Sequence, residues 1–159
     1  MALTARAAAS QDTALVHGFI LALAEYEKLS HAVAATEADT AAALFGPNPR
    51  AFAGIAELDG RPVGFSLWFY TFSTFAGRHG IWLEDLFVVP EARGRGAARA
   101  LMRSLARRCV DEGLARLEWA VLDWNAPAIA VYDRLGAAAL DDWTIRRLTG
   151  PALEALAGA

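Results

Sequence analysis

The fold of this chain is decided by one stretch, Ile81-Trp82-Leu83-Glu84-Asp85-Leu86-Phe87-Val88-Val89-Pro90-Glu91-Ala92-Arg93-Gly94-Arg95-Gly96-Ala97-Ala98. Its first half is a long apolar run that predicts a buried strand, and Pro90 closes that run. A glycine-containing turn follows, and a helical pattern then runs from about Arg95 to about Glu112. The stretch therefore predicts a strand, a tight turn and a helix in direct succession.

The turn between this strand and this helix predicts an anion-binding site. The first N–H groups of a helix have no partner within the helix, and the helix dipole adds partial positive charge there. Gly94 and Gly96 allow the backbone to approach a phosphate closely. Arg93 and Arg95 add two full charges within the same few residues.

The spacing of the turn residues separates several kinds of phosphate loop. A dinucleotide-binding fingerprint needs a third glycine where this chain has Arg99, and a Walker loop needs Gly-Lys-Ser/Thr, whereas Lys28 is the only lysine. The pattern that fits is Arg/Gln-x-x-Gly-x-Gly/Ala, met by Arg93, Gly96 and Ala98. It resembles the pyrophosphate loop of GNAT-type acyl-CoA N-acyltransferases. The alternative is a solvated, arginine-rich turn with no ligand.

Composition places the chain among globular proteins and excludes several function classes. With 159 residues and 55% hydrophobic residues, we expect a single domain over residues 1–159. The net charge of -3 argues against nucleic-acid binding and mildly favours a cationic substrate. The sequence has no run of about 18 apolar residues and no secretory h-region, so we expect a cytoplasmic protein without a membrane partner. The three histidines and Cys109 lack metal-ligand spacing.

Apolar periodicity and turn residues predict the remaining elements. Strands are expected at 3–6, 51–57, 62–72, 80–89, 114–122 and 143–148, and helices at 13–29, 36–46, 95–112, 125–136 and 151–156. This order predicts an α+β fold in which a mixed, mostly antiparallel central sheet is flanked by helices on both faces.

A second informative segment runs from Trp124 to Ala137. Asn125 is a good helix N-cap, and a helix of about two turns places Asn125 and Tyr132 on one side. The segment resembles the Asn-x-x-Ala-x-x-x-Tyr-x-x-x-Gly pattern of the GNAT superfamily. The resemblance implies that Asn125 and Ala128 help to hold the CoA pantetheine and that Tyr132 protonates the leaving thiolate. Taken alone, Tyr132 is better explained as a core tyrosine that anchors its helix, and the functional role depends on its place after the Arg93–Ala98 loop.

Two acids interrupt the apolar strand. Burial of Glu84 and Asp85 costs several kcal/mol unless they are paired, so at least one of them should face a wet or functional cavity. Neighbouring side chains of a regular strand point to opposite faces, and both acids meet one cleft only if a bulge intervenes. The alternative is a structural acid that pairs with an arginine of a covering helix.

Nearly the whole chain resembles the spermidine/spermine (diamine) acetyltransferase branch of this superfamily. That branch has an acidic cleft at a dimer interface, which implies a homodimer that takes a polyamine or a lysine-like amine, with Tyr26, Glu27 and Asp85 as substrate-binding residues. The chain departs from the branch at Ala97-Ala98, at Glu118 and after Leu140. The resemblance rests on four segments, Ala24-Glu25-Tyr26-Glu27, Leu83-Glu84-Asp85-Leu86-Phe87-Val88, Arg93-Gly94-x-Gly96 and Trp124-Asn125-x-Pro127-x-Ile129-x-x-Tyr132.

The resemblance implies an N-acetyltransferase that moves acetyl from acetyl-CoA to a primary amine in a ternary complex, without an acyl-enzyme. Glu84 would take the amine proton directly or through water, and Tyr132 would protonate the thiolate. A non-catalytic acyl-CoA sensor remains the rival, as does an acetyltransferase for a protein N-terminus or an antibiotic amine. The implied acetyl-CoA contacts are the backbone of Leu86, Phe87 and Val88 and the loop residues Arg93, Gly94, Arg95, Gly96, Ala97, Ala98 and Arg99.

Overall fold

The computed structural model describes residues 1–158, and these form one five-stranded sheet with five α-helices. No helix in this part of the chain is long and apolar enough to cross a membrane. The strands are β1 (Leu3–Ala7), β2 (Phe52–Leu58), β3 (Arg61–Ser73), β4 (Arg78–Val88) and β5 (Leu117–Trp119), and the helices are α1 (Thr13–Tyr26), α2 (Glu37–Phe45), α3 (Ala97–Asp111), α4 (Ala126–Arg134) and α5 (Gly150–Ala157).

The sheet follows the order of the chain, β1-β2-β3-β4-β5. The pairs β1–β2, β2–β3 and β3–β4 are antiparallel, and β5 runs parallel to β4. Asp59 and Gly60 join β2 to β3 with φ values of 51° and 76°, as a two-residue hairpin turn of the primed type requires. The predicted α+β class with a mixed, mostly antiparallel sheet is confirmed.

Both faces of the sheet are covered. On one face Phe19 of α1 stacks on Phe65 of β3, with ring centroids 5.6 Å apart, and Phe87 of β4 joins the same cluster. On the other face Leu101 of α3 packs in a cluster with Val88. Phe87 and Val88 are consecutive, so the strand alternation predicted for β4 supplies a buried side chain to each layer.

A paired carboxylate holds the N-terminal part of the sheet to the start of α1. Asp12 is 7% exposed and accepts two hydrogen bonds from the guanidinium of Arg6, at 2.7 and 3.0 Å, and one from the N–H of Ala9, at 2.8 Å. Arg6 also donates to Glu57 on the neighbouring strand, at 2.8 Å. The hydrogen bonds from Arg6 hold the pKa of Asp12 below its usual value.

Two predicted boundaries are corrected by backbone geometry. Helix α1 ends at Tyr26, not at Leu29, because Lys28 adopts a left-handed φ of 61° and the N–H of Leu29 bonds back to Ala24 at 2.8 Å. Strand β5 spans Leu117–Trp119 where 114–122 was expected. It pairs with β4 along Ile81–Leu83, and a bulge directly after Leu83 redirects β4.

The predicted strand at 143–148 is wrong. The structure gives this segment no regular structure, and Trp143 and Ile145 are 80% and 71% exposed. The alternating pattern favours a strand, but a strand also needs a neighbour for its backbone, and in residues 1–158 the sheet ends at β5. The chain divides into two compact units, one comprising Met1–Ala120 and a second that starts at Val121.

Candidate functional site

A β-bulge lies at the two acids of β4. Asp85 is opposite Leu67 and Leu83 is opposite Trp68, so Glu84 has no residue opposite it on β3. The side chains of β4 therefore change face at this point: Ile81 and Leu83 pack with α3, while Phe87 packs with α1. This is the irregularity that allows consecutive acids to serve one cleft.

Asp85 lies on the face of the sheet that α1 covers. Its register partner Leu67 packs against the α1 cluster, and directly opposite residues share a face. Burial, with a smaller contribution from the nearby carboxylates of Glu84 and Glu27, raises the pKa of Asp85 to about 6. Burial also raises the pKa of Glu27, which directly follows the last residue of α1. We call Glu27, Glu84 and Asp85 the acidic cluster.

Glu84 is exposed and held by an aromatic neighbour. The indole N–H of Trp82 donates to Oε2 of Glu84 at 2.8 Å, and this bond fixes the direction of a carboxylate that solvent reaches. The sequence did not single out Trp82 as a partner. Trp82 and Glu84 are two positions apart, and such residues share a face of a regular strand. The bulge that leaves Glu84 without a residue opposite it on β3 was not visible in the sequence.

The edge of β4 beyond Leu83 is left uncovered by β5, which pairs only with Ile81–Leu83. The N–H of Val89 donates to Val63 of β3 at 2.9 Å, so by strand alternation Leu86 and Val88 direct their backbone groups to the opposite, uncovered edge. The carbonyl of Val88 faces this way, since it accepts from Nε of Arg93 at 3.0 Å. Two of the three backbone positions predicted to meet the thioester thus have suitable orientation.

The third predicted backbone position, Phe87, is oriented differently. Its ring is 5% exposed and lies in the α1 cluster, 6.2 Å from the ring of Phe19. By the same alternation its N–H points to β3. The N–H groups of Leu86 and Val88, and not that of Phe87, therefore point to the edge of β4 that β5 leaves uncovered.

The glycine turn is built around two left-handed residues. Gly94 and Gly96 have φ values of 75° and 90°, and Gly96 is the N-cap of α3, so the helix begins at Ala97 and not at the predicted Arg95. The first helical bond runs from the N–H of Ala100 to Gly96 at 2.9 Å. The N–H groups of Ala97, Ala98 and Arg99 precede that bond and form the helix start that an anion would meet. The left-handed glycines, the N–H groups at the helix start and the neighbouring arginines suit the charge of a diphosphate.

Arg93 contributes to the shape of this loop as well as to its charge. Its guanidinium carbon lies 4.8 Å from the ring centroid of Tyr26 and 5.7 Å from that of Phe87. Together with the bond to Val88, these contacts attach the loop to α1 and to β4. Arg95 and Arg99 are exposed. Tyr26, which the sequence analysis predicts to bind substrate, thus also contacts the predicted cofactor loop. The sequence did not reveal this contact between distant residues.

The second unit carries the other predicted residues. Asn125 is 7% exposed and caps α4 through a bond that Oδ1 accepts from the N–H of Ala128, at 3.4 Å. Tyr132 is half-buried and lies seven residues along, so helical geometry sets it on the same side of α4 as Asn125. The predicted cap and helix are present, with α4 ending at Arg134, two residues before Gly136.

Comparison with known proteins gives a consistent set of relatives. The model of the acetyltransferase (GNAT) family matches residues 18–137. A thialysine N-epsilon-acetyltransferase from Sus scrofa is 38% identical over an alignment that covers 96% of each chain. A spermidine/spermine N(1)-acetyltransferase-like protein of Homo sapiens is 27% identical, over 83% of this chain and 20% of that protein. An integron cassette protein from the V. cholerae mobile metagenome superposes with a TM-score of 0.81 at 26% identity, over 100% of this chain and 99% of that one.

Proposed function

The chain belongs to the acetyltransferase (GNAT) family, and we propose that it transfers acetyl from acetyl-CoA to a primary amine of a small, positively charged molecule of the polyamine or lysine-like kind. The family membership confirms the resemblance seen in the sequence and makes the protein an acetyltransferase. The observation that supports the acceptor class is the acidic cluster, which lies next to the uncovered edge of β4.

The acidic cluster suits a cation because Asp85 is buried beside the carboxylates of Glu84 and Glu27, which raise its pKa. A diamine or a lysine-like amine carries one ammonium beyond the group that reacts. Binding that second ammonium near Asp85 and Glu27 would relieve the repulsion between carboxylates and would keep Asp85 ionised. The named relatives support this class, since thialysine and spermidine both carry primary amines. Tyr26 would form part of the wall on the α1 side.

Proton transfer from the reacting amine is assigned to Glu84. An alkylammonium has a pKa near ~10 and must lose a proton before its nitrogen can attack. Glu84 is the exposed member of the cluster, and Trp82 holds its carboxylate in one direction at 2.8 Å. The proton passes to Glu84 directly or through a water molecule, and the nitrogen then attacks the thioester carbonyl.

The backbone would stabilise the developing charge. An N–H of Leu86 or Val88 on the uncovered edge of β4 would donate to the thioester oxygen as it becomes anionic. The amides at the start of α3 and the loop Arg93–Ala98 would hold the diphosphate, and Asn125 and Ala128 would contact the pantetheine arm. As the tetrahedral intermediate collapses to the amide and the C–S bond breaks, Tyr132 would give its phenolic proton to the departing CoA thiolate. No acyl-enzyme forms, because the amine attacks the thioester directly.

Three further properties belong to the same proposal. We expect the two compact units to work as a single domain, since the family match at residues 18–137 extends across both. We expect a homodimer, because apolar side chains of the C-terminal segment such as Trp143, Ile145 and Leu156 are at least 71% exposed. We also expect a cytoplasmic enzyme, where acetyl-CoA is available as cosubstrate.

A thiol-release screen tests this function. The full-length protein is mixed with acetyl-CoA and, in turn, spermidine, putrescine, thialysine, lysine, an aminoglycoside and a peptide with a free N-terminus, and acetylated products are identified by mass. We expect turnover on the small polyamine or lysine-like amines. Turnover only on the peptide or the aminoglycoside would contradict the acceptor class. Tight acetyl-CoA binding without turnover on any amine would instead identify an acyl-CoA sensor.

A further inference from the structure

Arg93 connects the loop proposed for the diphosphate to the side of the site proposed for the acceptor. Its guanidinium carbon lies 4.8 Å from the ring centroid of Tyr26, the last residue of α1, and 5.7 Å from that of Phe87. Its Nε donates to the carbonyl of Val88 at 3.0 Å. Tyr26 directly precedes Glu27 of the acidic cluster. One side chain of the loop therefore contacts the end of the helix that carries part of the acceptor wall.

The chain leaves the protein body directly after this contact. Lys28 has a left-handed φ of 61°, and residues 28–32 are exposed to solvent. Glu27, in contrast, is half-buried, and its carboxylate is close enough to Asp85 to help raise the pKa of that residue. Because Tyr26 and Glu27 are consecutive, a shift of the Tyr26 ring would also move Glu27 relative to Asp85.

The guanidinium of Arg93 can serve both neighbours at once. A guanidinium is planar, so that it lies over an aromatic ring with its face while its N–H groups donate in its plane. Nε of Arg93 is used by Val88, and the side chain lies over the ring of Tyr26. Within residues 1–158 Arg93 forms no ion pair, which leaves its terminal nitrogens available to an anion at the loop.

We propose that Arg93 is a positioning residue that couples the two substrates: acetyl-CoA bound at the loop fixes Arg93, Arg93 fixes the ring of Tyr26, and the acceptor amine then binds more tightly. The inference rests on the proposed function, because it takes the loop as the diphosphate site and Tyr26 and Glu27 as part of the acceptor wall. An arginine side chain loses rotamer freedom when it is ordered. A diphosphate that has already ordered Arg93 spares the amine that loss, and the two ligands then favour each other's binding.

The test measures the Kd of an amine by calorimetry with and without CoA, which carries the diphosphate but no acetyl group to transfer. The amines are 1,4-diaminobutane and thialysine, and CoA is used at a concentration that saturates each protein. We expect CoA to lower the Kd of the amine about tenfold in the parent and less than about twofold in Arg93→Gln. Glutamine meets the loop pattern Arg/Gln-x-x-Gly-x-Gly/Ala but places no cation over the ring. Arg103→Gln, which changes an exposed arginine of α3, should keep the parent's factor.

Variants of Tyr26 separate the ring from the hydroxyl. Tyr26→Phe keeps the ring and should keep the factor, whereas Tyr26→Leu should lose it. Arg93→Gln combined with Tyr26→Leu should lose no more than either single variant, since both remove the same contact. CoA alone should bind Tyr26→Leu with the parent's affinity, which serves as the folding control. If Tyr26→Leu does not bind CoA, Tyr26→Phe and Arg93→Gln decide the question.

Steady-state kinetics distinguish a positioning role from a simple contact with the cofactor. At saturating acetyl-CoA, Arg93→Gln should raise the KM for the amine about tenfold and leave kcat within a few-fold of the parent, because Glu84 and Tyr132 are unchanged. A variant in which only the KM for acetyl-CoA changes would limit Arg93 to the diphosphate and would overturn the inference.

Two binding results would also overturn it. An amine Kd that is the same with and without CoA in the parent would show that the sites are not coupled, while turnover in the thiol-release screen would leave the proposed function intact. A parental factor in Arg93→Gln, or its loss in Arg103→Gln, would remove the coupling from the contact with Tyr26. If neither amine binds the parent in the presence of CoA, the proposed acceptor class fails, and the inference fails with it.

Discussion

Asp12 and Asp85 are both largely withdrawn from water, but their surroundings shift their pKa values in opposite directions. Asp12 is buried against Arg6, accepts three hydrogen bonds, and has a lowered pKa. Asp85 is also largely withdrawn from water, but the charges that act on it are the carboxylates of Glu84 and Glu27, and its pKa is raised to about 6. In residues 1–158, Asp85 forms no ion pair.

The difference shows where the molecule retains unfavourable electrostatics. A protein selected only for stability would pair or replace Asp85, as it pairs Asp12. An unpaired acid beside a bulge is therefore a candidate for a cation that arrives with the substrate. The two carboxyl groups must also respond to pH with opposite signs, and variants of each region can test that contrast.

The largest expected effect belongs to Glu84, the exposed member of the acidic cluster. Glu84→Gln keeps the size of the side chain but removes the proposed proton acceptor, so kcat should fall by about 10²–10⁴-fold on a good amine. Acetyl-CoA affinity should be unchanged in calorimetry. A variant that turns over within a few-fold of the parent, with chemistry shown to be rate-limiting, would move the role of base to another group.

Tyr132→Phe provides the companion measurement for the second proton transfer. Its kcat should fall in the same range, since the phenol acts on charge that develops in the transition state. The KM for the amine should stay close to that of the parent. A large rise in this KM, with kcat intact, would make Tyr132 an acceptor-binding residue and not the acid.

Asp85→Asn should stabilise the protein while it harms substrate binding. A raised pKa means that the folded state loses stability as pH rises from about 4 through about 6, so removal of the carboxyl should add about 2–3 kcal/mol to the free energy of unfolding at pH 8. The gain should vanish near pH 4, where Asp85 is protonated in both states. Urea melts at the two pH values measure this difference, and a loss of stability at pH 8 would contradict it.

Asp12→Asn should give the opposite result. The lowered pKa stabilises the fold at pH values above the unfolded pKa, and that contribution is lost as pH falls through the folded pKa. We expect a loss of about 2 kcal/mol at pH 7, a modest value because Arg6 is partly exposed and keeps its bond to Glu57. The cost should shrink in acid. Acetyl transfer per folded molecule should not change.

Trp82→Phe should have the smallest effect. It removes the indole N–H that orients Glu84 but keeps an aromatic ring, and one hydrogen bond to a charged group contributes about 1.5–3 kcal/mol at most, less where solvent competes. We expect kcat to fall by less than about tenfold and thermal stability to change little. A loss as large as that of Glu84→Gln would mean that Trp82 itself contacts the reacting groups.

The sequence predicted the parts of this site that depend on local chemistry. The glycine turn before α3 and the cap of α4 at Asn125 could be predicted because each needs only neighbouring residues. The register bulge at Glu84 could not, since it depends on how β4 aligns with β3. The left-handed Lys28 was missed for a related reason, because no glycine marks the end of α1.

The cation–π contact of Arg93 with Tyr26 illustrates the same limit. The two residues lie on different elements, and no local pattern links them. The wrong strand prediction at 143–148 shows that a local pattern can also predict an element that the fold does not form. Its alternating residues favour a strand, but a strand forms only beside a partner, and the described chain offers none there.

The acidic cluster is most directly tested by comparing a diamine with a monoamine of equal length. The kcat/KM for 1,4-diaminobutane divided by that for n-butylamine measures the contribution of the second ammonium alone. We expect this ratio to be high in the parent at pH 8 and to fall by about tenfold or more in Asp85→Asn, with Asp12→Asn at the parent's ratio. A ratio that is the same in the parent and in Asp85→Asn would contradict the assignment of the cluster to the cationic acceptor.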